Sequence, residues 1–599
     1  MTKHSKHKRI LALLLSVLMI VSVMTVGISA NTDDTIVIDE ASDWDEYVTA
    51  GGFPENAKVT VSATLTNLTT SFNGNGATVT TTVPLFAAIS NTSAETLTIE
   101  NLTIDGSITS GTYVGALAIE SVGNVGNVDI TNVTNSADVT CTGGGVMTAS
   151  GFISITKNGV HNFKDCVNEG NIMTTSVSET FAAGFVAYHF SGQEAMHHFI
   201  NCVNNGSITG STDAAASSTA AGLVGYHGKW GYSTFVGCGN TGDITASWVA
   251  AGILGREWNR PNSFDYCYNT GTINATGTTS GQAYTSGITY GLLYDATYHG
   301  NISFCWNSGN IIAPDNVTTF GQIVGETVLG TTPETISSIL NNNFYSLDVK
   351  DSNGNVIPAF ANNPDATSNT FYFADIASGK LAYDINTAAG AQVFFQNLTE
   401  GAPLPTTNAA DGTVVKIGDN YYSLRLTTAD EASAKIADTV DYSGLRFTTT
   451  VNAADFAKLP DEAEITYGTR ITPTHYLKAV TSFDKLVKDD TCVDVIVESD
   501  DVFFEGTSFR GSIVGIKSDN FDMDYSAIGF AKIGNVTVWS TTYSTRNIKE
   551  IADAAYNDRS ATQGGDYKNV ITKAELVIAD KPYSPYTEAQ LGILKGYIG

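Results

Sequence analysis

The chain has 599 residues, with 60 Asp and Glu against 31 Lys and Arg, a net charge of −29, and it carries 57 Gly but only 13 Pro. A field of that sign repels phosphate backbones and anionic lipid, so nucleic acid and membrane surfaces are poor partners. The length exceeds what one hydrophobic core serves, so two or three modules are expected. The wealth of Gly, Thr, Ser and Asn points to an all-β chain with many turns, because β-branched residues suit strands while Gly and Asn supply corners with positive φ.

In chain order, the first segment reads as an export signal. Lys3, Lys6, Lys8 and Arg9 precede an apolar run from Ile10 to Val26 that leads into Gly27-Ile28-Ser29-Ala30. The basic end stays in the cytoplasm, the apolar run enters the translocon, and the small Ala30 suits the peptidase, so residues 1–30 are a signal peptide and the mature chain starts near Asn31. A retained membrane anchor is the alternative, and polar Asn31-Thr32-Asp33-Asp34 directly after the run argues against it. Cleavage leaves 27 basic against 60 acidic residues, a net charge of −33. No later run approaches the roughly 20 apolar residues of a membrane span, and the chain closes on neither a sorting motif nor a basic tail. The expected location is therefore secreted, or non-covalently associated with the cell surface, with no membrane insertion after cleavage.

Residues 31–345 are dominated by a phrase, Cys-x-Asn-x-Gly-x-Ile, that begins at Cys166, Cys202, Cys238, Cys267 and Cys305. Degenerate copies run from Leu102 to Ile108 and from Val133 to Val139, and the period is 29 to 38 residues. A second phrase follows each copy: Ala183-Gly184-Phe185-Val186, Ala221-Gly222-Leu223-Val224-Gly225, Ala251-Gly252-Ile253-Leu254-Gly255, Ser286-Gly287-Ile288 and Gly321-Gln322-Ile323-Val324-Gly325. Each period should thus hold two short strands and two turns. A unit this small cannot bury its apolar face alone, and stacking identical units does so, which makes a solenoid. The units lack apolar residues at helical spacing and are full of Gly and β-branched residues, so a right-handed parallel β-helix is preferred over a helical repeat.

In such a stack Asn168, Asn204, Asn240, Asn269 and Asn307 are expected to hydrogen-bond along the axis as a ladder that satisfies turn backbone. Cys166, Cys202, Cys238, Cys267 and Cys305 read as interior small apolar side chains. Zinc thiolates come in close C-x-x-C pairs, which are missing, so no metal and no cofactor are expected. Disulfides between neighbouring coils are sterically conceivable, but the odd total of seven, with Cys141 and Cys492, argues against a complete framework.

On these phrases the coils resemble the GLUG-type β-helix repeats of surface proteins from anaerobic Gram-positive bacteria. The resemblance covers residues 35–345. It includes Ser42-Asp43-Trp44-Asp45-Glu46-Tyr47, similar to the capping helix of that family, Phe72-Asn73-Gly74-Asn75-Gly76, similar to its Gly-rich turn, and Asn101-Leu102-Thr103-Ile104, similar to its first regular rung. A polar cap is physically required, since the first coil otherwise leaves an open apolar end. Residues 346–420 are expected to be a closing segment and linker, and residues 377–422, with Ser378-Gly379-Lys380-Leu381-Ala382-Tyr383-Asp384-Ile385-Asn386, then Phe395-Gln396-Asn397, Pro403 and Val414, resemble the segment that closes such helices, with Phe394-Phe395 replacing a Trp-containing pair. Residues 421–599 resemble an uncharacterised C-terminal domain of clostridial secreted proteins, through Ser443-Gly444-Leu445-Arg446-Phe447, Tyr467-Gly468-Thr469-Arg470-Ile471, Ser526-Ala527-Ile528-Gly529-Phe530 and Thr545-Arg546-Asn547-Ile548. Alternation over 445–451, 493–498 and 536–540 predicts strands, and 548–557 one amphipathic helix, giving a smaller β-sandwich-like domain with one packed helix. The resemblance implies no established activity and hence no catalytic residues.

Three loops carry the chemistry worth weighing. Tyr188-His189-Phe190, Tyr226-His227-Gly228-Lys229-Trp230-Gly231-Tyr232 and Arg256-Glu257-Trp258-Asn259-Arg260 follow consecutive second phrases and should share one side of the stack. Aromatic faces stack on the CH faces of sugars while charged neighbours bond hydroxyls, so Tyr226, His227, Trp230, Arg256 and Trp258 are the candidate ligand-binding residues. The competing reading is that these rings merely cover the flank of the solenoid. His197 and His198 are adjacent, face opposite ways in a strand and cannot share a metal. The acidic residues of the coils, Asp165, Glu169, Glu194, Asp243, Glu257, Asp265 and Asp295, do not recur at one position, as the paired carboxylates of a β-helix lyase or hydrolase would. Arg446 and Arg546 lie among apolar residues and are expected in buried ion pairs, with ligand binding as the alternative. The functional expectation is a secreted or cell-surface, non-catalytic binding and adhesion protein whose loops contact glycans or other cell-surface polymers. A polysaccharide-active lyase or hydrolase and a passive surface spacer are the alternatives.

Overall fold

The computed structural model describes residues 35–598 apart from 124, 190–194, 214–215, 229–230, 258–261, 278–282, 292–299, 313–318, 327–339, 362–367, 402–403, 430–432, 436, 438, 478–485, 488–491, 498–506 and 558–586. Residues 1–30, expected to be a signal peptide, lie outside the described residues. The chain divides into two compact units, Met1–Phe373 and Ala374–Gly599. Among the described residues no helix is long and apolar enough to cross a membrane.

The first unit is a parallel β-helix. One coil shows the plan: strands Ala195–Ile200, Val203–Asn204, Ile208–Thr209, Ser218–Ala221 and Val224–His227, after which Tyr232–Val236 begins the next coil. The expected two strands per period are therefore five. Two-residue strands on either side of a corner have no periodicity of their own and become visible only through their partners in the next coil. The coils pair in parallel and in register, with Val139, Ile172, Ile208, Ile244, Ile273 and Ile311 above one another. Pairing divides the strands into a long sheet of 24, which wraps the corner between the first three strands of each coil, and flanking sheets of seven and six.

The Asn ladder forms as the phrase predicts and is longer than its five copies. Nδ2 of Asn135, Asn168, Asn204, Asn240 and Asn269 donates to Oδ1 of the next member at 2.7–2.8 Å, ending at Asn307. The same Nδ2 atoms of Asn168, Asn204, Asn240, Asn269 and Asn307 also donate to the carbonyl two residues on, at 2.8–3.0 Å. Asn307 donates onward to Oε1 of Gln322 at 3.3 Å, and Gln322 Nε2 donates to the carbonyls of Ser346 and Ile357 at 2.7 and 2.8 Å, so the ladder is terminated. The phrase glycines follow from the stacking: a Cβ at Gly206, Gly242, Gly271 or Gly309 would sit 2.0 Å from the carbonyl oxygen of the glycine one coil earlier.

Inside, Cys166, Cys202, Cys238, Cys267 and Cys305 are fully buried free thiols. Sγ of Cys166 and of Cys305 donates to the carbonyls of Ile130 and Phe264 in the preceding coil, at 3.4 and 3.5 Å. Burial pushes the thiols of Cys202 and Cys267 well above the ordinary range, so they pack as small apolar groups. A second ladder stands beside them. Phe163, Phe199, Phe235 and Phe264 stack with centroids 4.7, 5.0 and 4.9 Å apart. The residue before each Cys position turns the chain through positive φ, at Asn132, Asp165, Asn201, Gly237, Tyr266, Phe304 and Asn342. Asn and Gly adopt that conformation readily, and Tyr266 and Phe304 adopt it with their rings stacked at 5.3 Å.

The N-terminal end is closed by the helix Trp44–Ala50. Trp44 is fully buried, lies 5.3–6.0 Å from the rings of Phe53, Phe72 and Phe86, and donates from Nε1 to the Ala63 carbonyl at 3.2 Å. At the far end Val349, Ile357, Ala359 and Phe360 still belong to the interior, and Ser368–Phe371 pairs with Asn343–Ser346.

The second unit is β-sandwich-like. One antiparallel sheet holds Leu426–Thr428, Ser433–Lys435, Gly444–Val451 and Ser508–Val514; the other holds Val493–Ile496, Ile465–Pro473, Tyr525–Ile533, Val536–Trp539 and Ser544–Arg546. The sheets approach so closely that a Cβ at Gly511 or Gly529 would meet the hydroxyl oxygen of Thr469 or Thr449 at 2.1 or 2.0 Å. The expected helix, Ile548–Asn557, is joined by a second, Glu588–Ile598, whose Leu594 and Tyr597 complete a core with Leu445, Phe447 and Ile471. The arginine singled out at position 446 donates to Ser512 Oγ at 3.3 Å, and Arg546 to the Thr545 carbonyl at 2.8 Å. A buried ion pair that the sequence did not announce joins Arg425, whose Nε and Nη2 reach the two carboxylate oxygens of fully buried Asp455 at 2.8 and 2.9 Å.

Two outcomes follow for stability. Asn204→Ala strands the Gly206 carbonyl and the Asn168 amide inside the stack and should lower the urea-unfolding free energy by about 2–5 kcal/mol, whereas Asn205→Ala next to it, at an exposed position, should stay within about 0.5 kcal/mol. Arg425→Met leaves the Asp455 carboxylate buried without its partner and should cost about 3–5 kcal/mol, most of it recovered in the Arg425→Met/Asp455→Leu double variant. Equal losses in the single and double variants would show that packing, not the charge pair, holds this corner.

Candidate functional site

The strands Val186–His189, Val224–His227 and Leu254–Glu257 lie side by side, pairing Tyr188 with Tyr226 and Tyr226 with Arg256. These three side chains point out of the solenoid, in a corner shared with the preceding strands Thr180–Ala183, Ser218–Ala221 and Val249–Ala251. The corner bottom is made of small residues, Ala187, Gly225 and Gly255; a Cβ at Gly255 would lie 2.6 Å from Cγ2 of Thr219 across it. The Phe181 ring packs into the corner, 5.0 Å from Tyr188 and 5.2 Å from Tyr226, and Tyr188 and Tyr226 stack at 5.1 Å with their planes 17° apart. The Arg256 guanidinium sits 5.2 Å over Tyr226 and 4.1 Å over Trp248, and its Nη1 is 3.2 Å from Oε1 of Glu179, two coils back. Burial raises the Tyr226 phenol above its ordinary range, partly offset by the nearby guanidinium.

This arrangement revises the sequence expectation in two ways. Tyr226 is only 6% exposed, and its faces are taken by Tyr188, Phe181 and Arg256, so what the row offers a ligand is ring edges, phenol hydroxyls and the guanidinium rather than a free aromatic face. His227, the next residue along the strand from outward-facing Tyr226, turns inward and is fully buried, so it is not a surface contact. Trp230 and Trp258 lie outside the described residues, as do Phe190, Lys229 and Arg260. Phe181, Trp248 and Glu179 were not legible as members of this site. Arg256 and Glu179 are 77 residues apart, across coils of unequal length, and no sequence interval announces that contact. The Phe ladder was legible: Phe163, Phe199, Phe235 and Phe264 each stand three residues before a phrase Cys.

Behind the row runs a file of polar side chains inside the solenoid. His189 and His227 stack at 5.0 Å, and Glu257 is the register partner of His227 in the following coil. On the adjoining face His161 and His197 are register partners, followed by Ser233. His161, His189, His197 and His227 are all fully buried. Nδ1 of His197 lies 3.2 Å from Nε2 of His227, and its Nε2 lies 2.9 Å from Thr156 Oγ1, while Nε2 of His161 lies 3.0 Å from Ser121 Oγ. Asn262, itself fully buried, accepts from the Ser233 amide at 2.6 Å and donates to the Glu257 carboxylate. Burial, with His189 as like-charged neighbour, lowers His161 to about 3, and burial and the neighbouring imidazoles hold His197 and His227 well below their ordinary value. Half-buried His198 points outward beside Thr234, 2.7 Å away, as strand alternation requires. Among the described residues no three or more His, Cys, Asp or Glu converge in a metal-holding arrangement.

No family model matches the chain, and no curated relative matches it. Among solved structures, one described as a "putative immunoglobulin A1 protease" from Bacteroides ovatus is similar over 42% of this chain and 83% of its own, at 13% identity and a TM-score of 0.29. A likeness of that degree carries no argument about activity. The β-helix rests on the strand pairing itself.

The buried imidazoles set an acid limit. A histidine held neutral contributes stability that is complete above its unfolded pKa of about 6.5 and is lost as pH falls toward the folded value, by about 1.4 kcal/mol per pH unit for each group. For His161 that window runs from about 6.5 down to about 3. Urea midpoints measured from pH 7 to pH 4 should fall steeply in the native protein and less steeply in His161→Gln. An unchanged slope would mean that His161 takes up no proton on unfolding.

Proposed function

We propose that the protein is exported on its residue 1–30 signal and acts, free or held non-covalently at the cell surface, as a non-catalytic binding and adhesion protein that contacts glycans or other surface polymers. The single observation that supports this reading is the outward row Tyr188–Tyr226–Arg256 with Trp248. It gathers phenols, an indole and one guanidinium on consecutive coils of an otherwise acidic solenoid. Such a set suits a polyhydroxylated chain lying along the axis: hydroxyls bond the phenols and the guanidinium, and CH groups lie against ring edges. The carboxylate nearest the guanidinium, Glu179, is engaged in the ion pair with it, which favours a binding surface over a carboxylate-pair hydrolase. The Cys-x-Asn-x-Gly-x-Ile phrases further support assigning the coils to the GLUG-type repeats of clostridial surface proteins, and that assignment belongs to this proposal.

The test is a glycan array probed with the mature chain beside Arg256→Gln/Trp248→Ala. Specific binding that falls at least tenfold in the double variant is expected. A folded native protein that binds no glycan would favour the passive spacer, and release of shortened or unsaturated sugar products would favour the lyase or hydrolase.

A further inference from the structure

The outward row and the inward file occupy the same strands, one residue apart. Tyr188 precedes His189, Tyr226 precedes His227 and Arg256 precedes Glu257. A side chain of the row therefore cannot keep its place if its inward neighbour leaves. We propose that the His161–His189–His197–His227 file is an acid-sensitive latch for the Tyr188–Tyr226–Arg256 row, holding the row assembled at neutral pH and releasing it in acid. As a proposal about ligand capture it rests on the binding reading given above.

The geometry carries the argument. The four imidazoles are fully buried and contiguous: His189 to His227 is 5.0 Å between ring centroids, His197 to His227 is 5.2 Å, His161 to His197 is 5.6 Å and His189 to His197 is 5.9 Å. A second proton inside this group would face the first at ring-contact distance in a water-poor interior, where like charges repel strongly. Among the described residues, the groups facing the file from each packed element are mostly neutral. Strand Ile153–Lys157 offers Thr156, strand Ala118–Gly123 offers Ser121, and strand Tyr232–Val236 offers Ser233. Lys157 and Glu120 on two of those strands are bonded to each other at 2.6 Å, and His198 on the strand of His197 turns outward to Thr234. Among the described residues, the carboxylate beside the file is Glu257, the register partner of His227, to which Asn262 donates. The depressed imidazole values agree with this picture. Opening the strands lets each histidine regain its solvent pKa, so acid drives opening.

Hydrogen exchange on the full mature chain reads the latch without any ligand. After correction for intrinsic rates, amides of 186–189, 224–227 and 254–257 should lose protection by about 30-fold for each imidazole that takes up a proton on opening between pH 7.5 and 5. The amides of 139–141 and 172–174, in the strands that pair Val139 with Ile172, serve as internal controls and should change less. His197→Gln/His227→Gln should lose far less protection at pH 5 than the native chain, because only two of the four imidazoles remain to take up protons on opening. Protection that is flat down to pH 4.5, or equal acid loss in the native chain and in whichever variants fold, overturns the latch. A parallel arm uses soluble yeast mannan and hydroxyethylcellulose as neutral-glycan probes. Binding at pH 7.5 that persists unchanged at pH 5 also overturns the latch, whereas absence of probe binding at both values counts against the glycan reading and leaves the exchange result to decide the latch.

Discussion

The structure depends on one constraint, the in-register superposition of an Asn-x-Gly corner on its copy in the next coil. A corner inside a stack of parallel strands leaves backbone carbonyls facing protein rather than water, and each needs a donor. The asparagine at that corner provides two at once, bonding its own carbonyl two residues on and the amide oxygen of the next asparagine. The bond geometry tolerates no slippage. A one-residue shift would turn the whole strand inside out, and the register of the Ile and Phe ladders is fixed with it. The glycine two residues later is a consequence, because consecutive corners approach until carbonyl oxygen meets Cα.

Holding the corner fixed leaves the remainder of each coil free to vary. Successive ladder asparagines are separated by 36, 36, 29 and 38 residues while their bonds stay at 2.7 Å. The difference in length is absorbed between strands, where loop closure costs little per added residue. This explains how an acidic solenoid with a monotonous interior can present a local, non-repeating set of side chains. The row of Tyr188, Tyr226 and Arg256 arises where the outward positions of three register-paired strands happen to carry aromatic and cationic residues, and where a concave junction with the neighbouring sheet lets Phe181 and Trp248 close on them.

The second unit solves the same problem of buried polar backbone differently. Its two sheets meet through Gly and Thr rather than through large apolar side chains at the centre, with Thr428 accepting the Gly529 amide at 2.9 Å and Ser540 accepting the Thr428 amide at 2.6 Å. Apolar clusters lie to either side of that polar seam, one around Leu445 and Phe447 with the two helices, the other around Val415, Leu424 and Phe509. Cross-sheet hydroxyl bonds fix the facing of the sheets where close packing of backbones leaves no room for large side chains.

The sequence by itself determined the solenoid, its repeat and the inward fate of the Cys, Asn and Ile positions, because a residue that must match its own copy in every coil is written at every period. It also carried the Phe ladder by the same rule. What it could not carry was the number of strands per coil, the stacking of Tyr188 on Tyr226, the burial of His227 and the pairing of Arg256 with Glu179. Those depend on where the chain bends between strands and on which sheets meet at a concave angle, and such angles have no period. In the second unit, likewise, alternation marked the strands, but only packing decided that Arg425 holds the buried carboxylate of Asp455, since a residue's partner across a sandwich is set by three-dimensional distance and not by spacing along the chain.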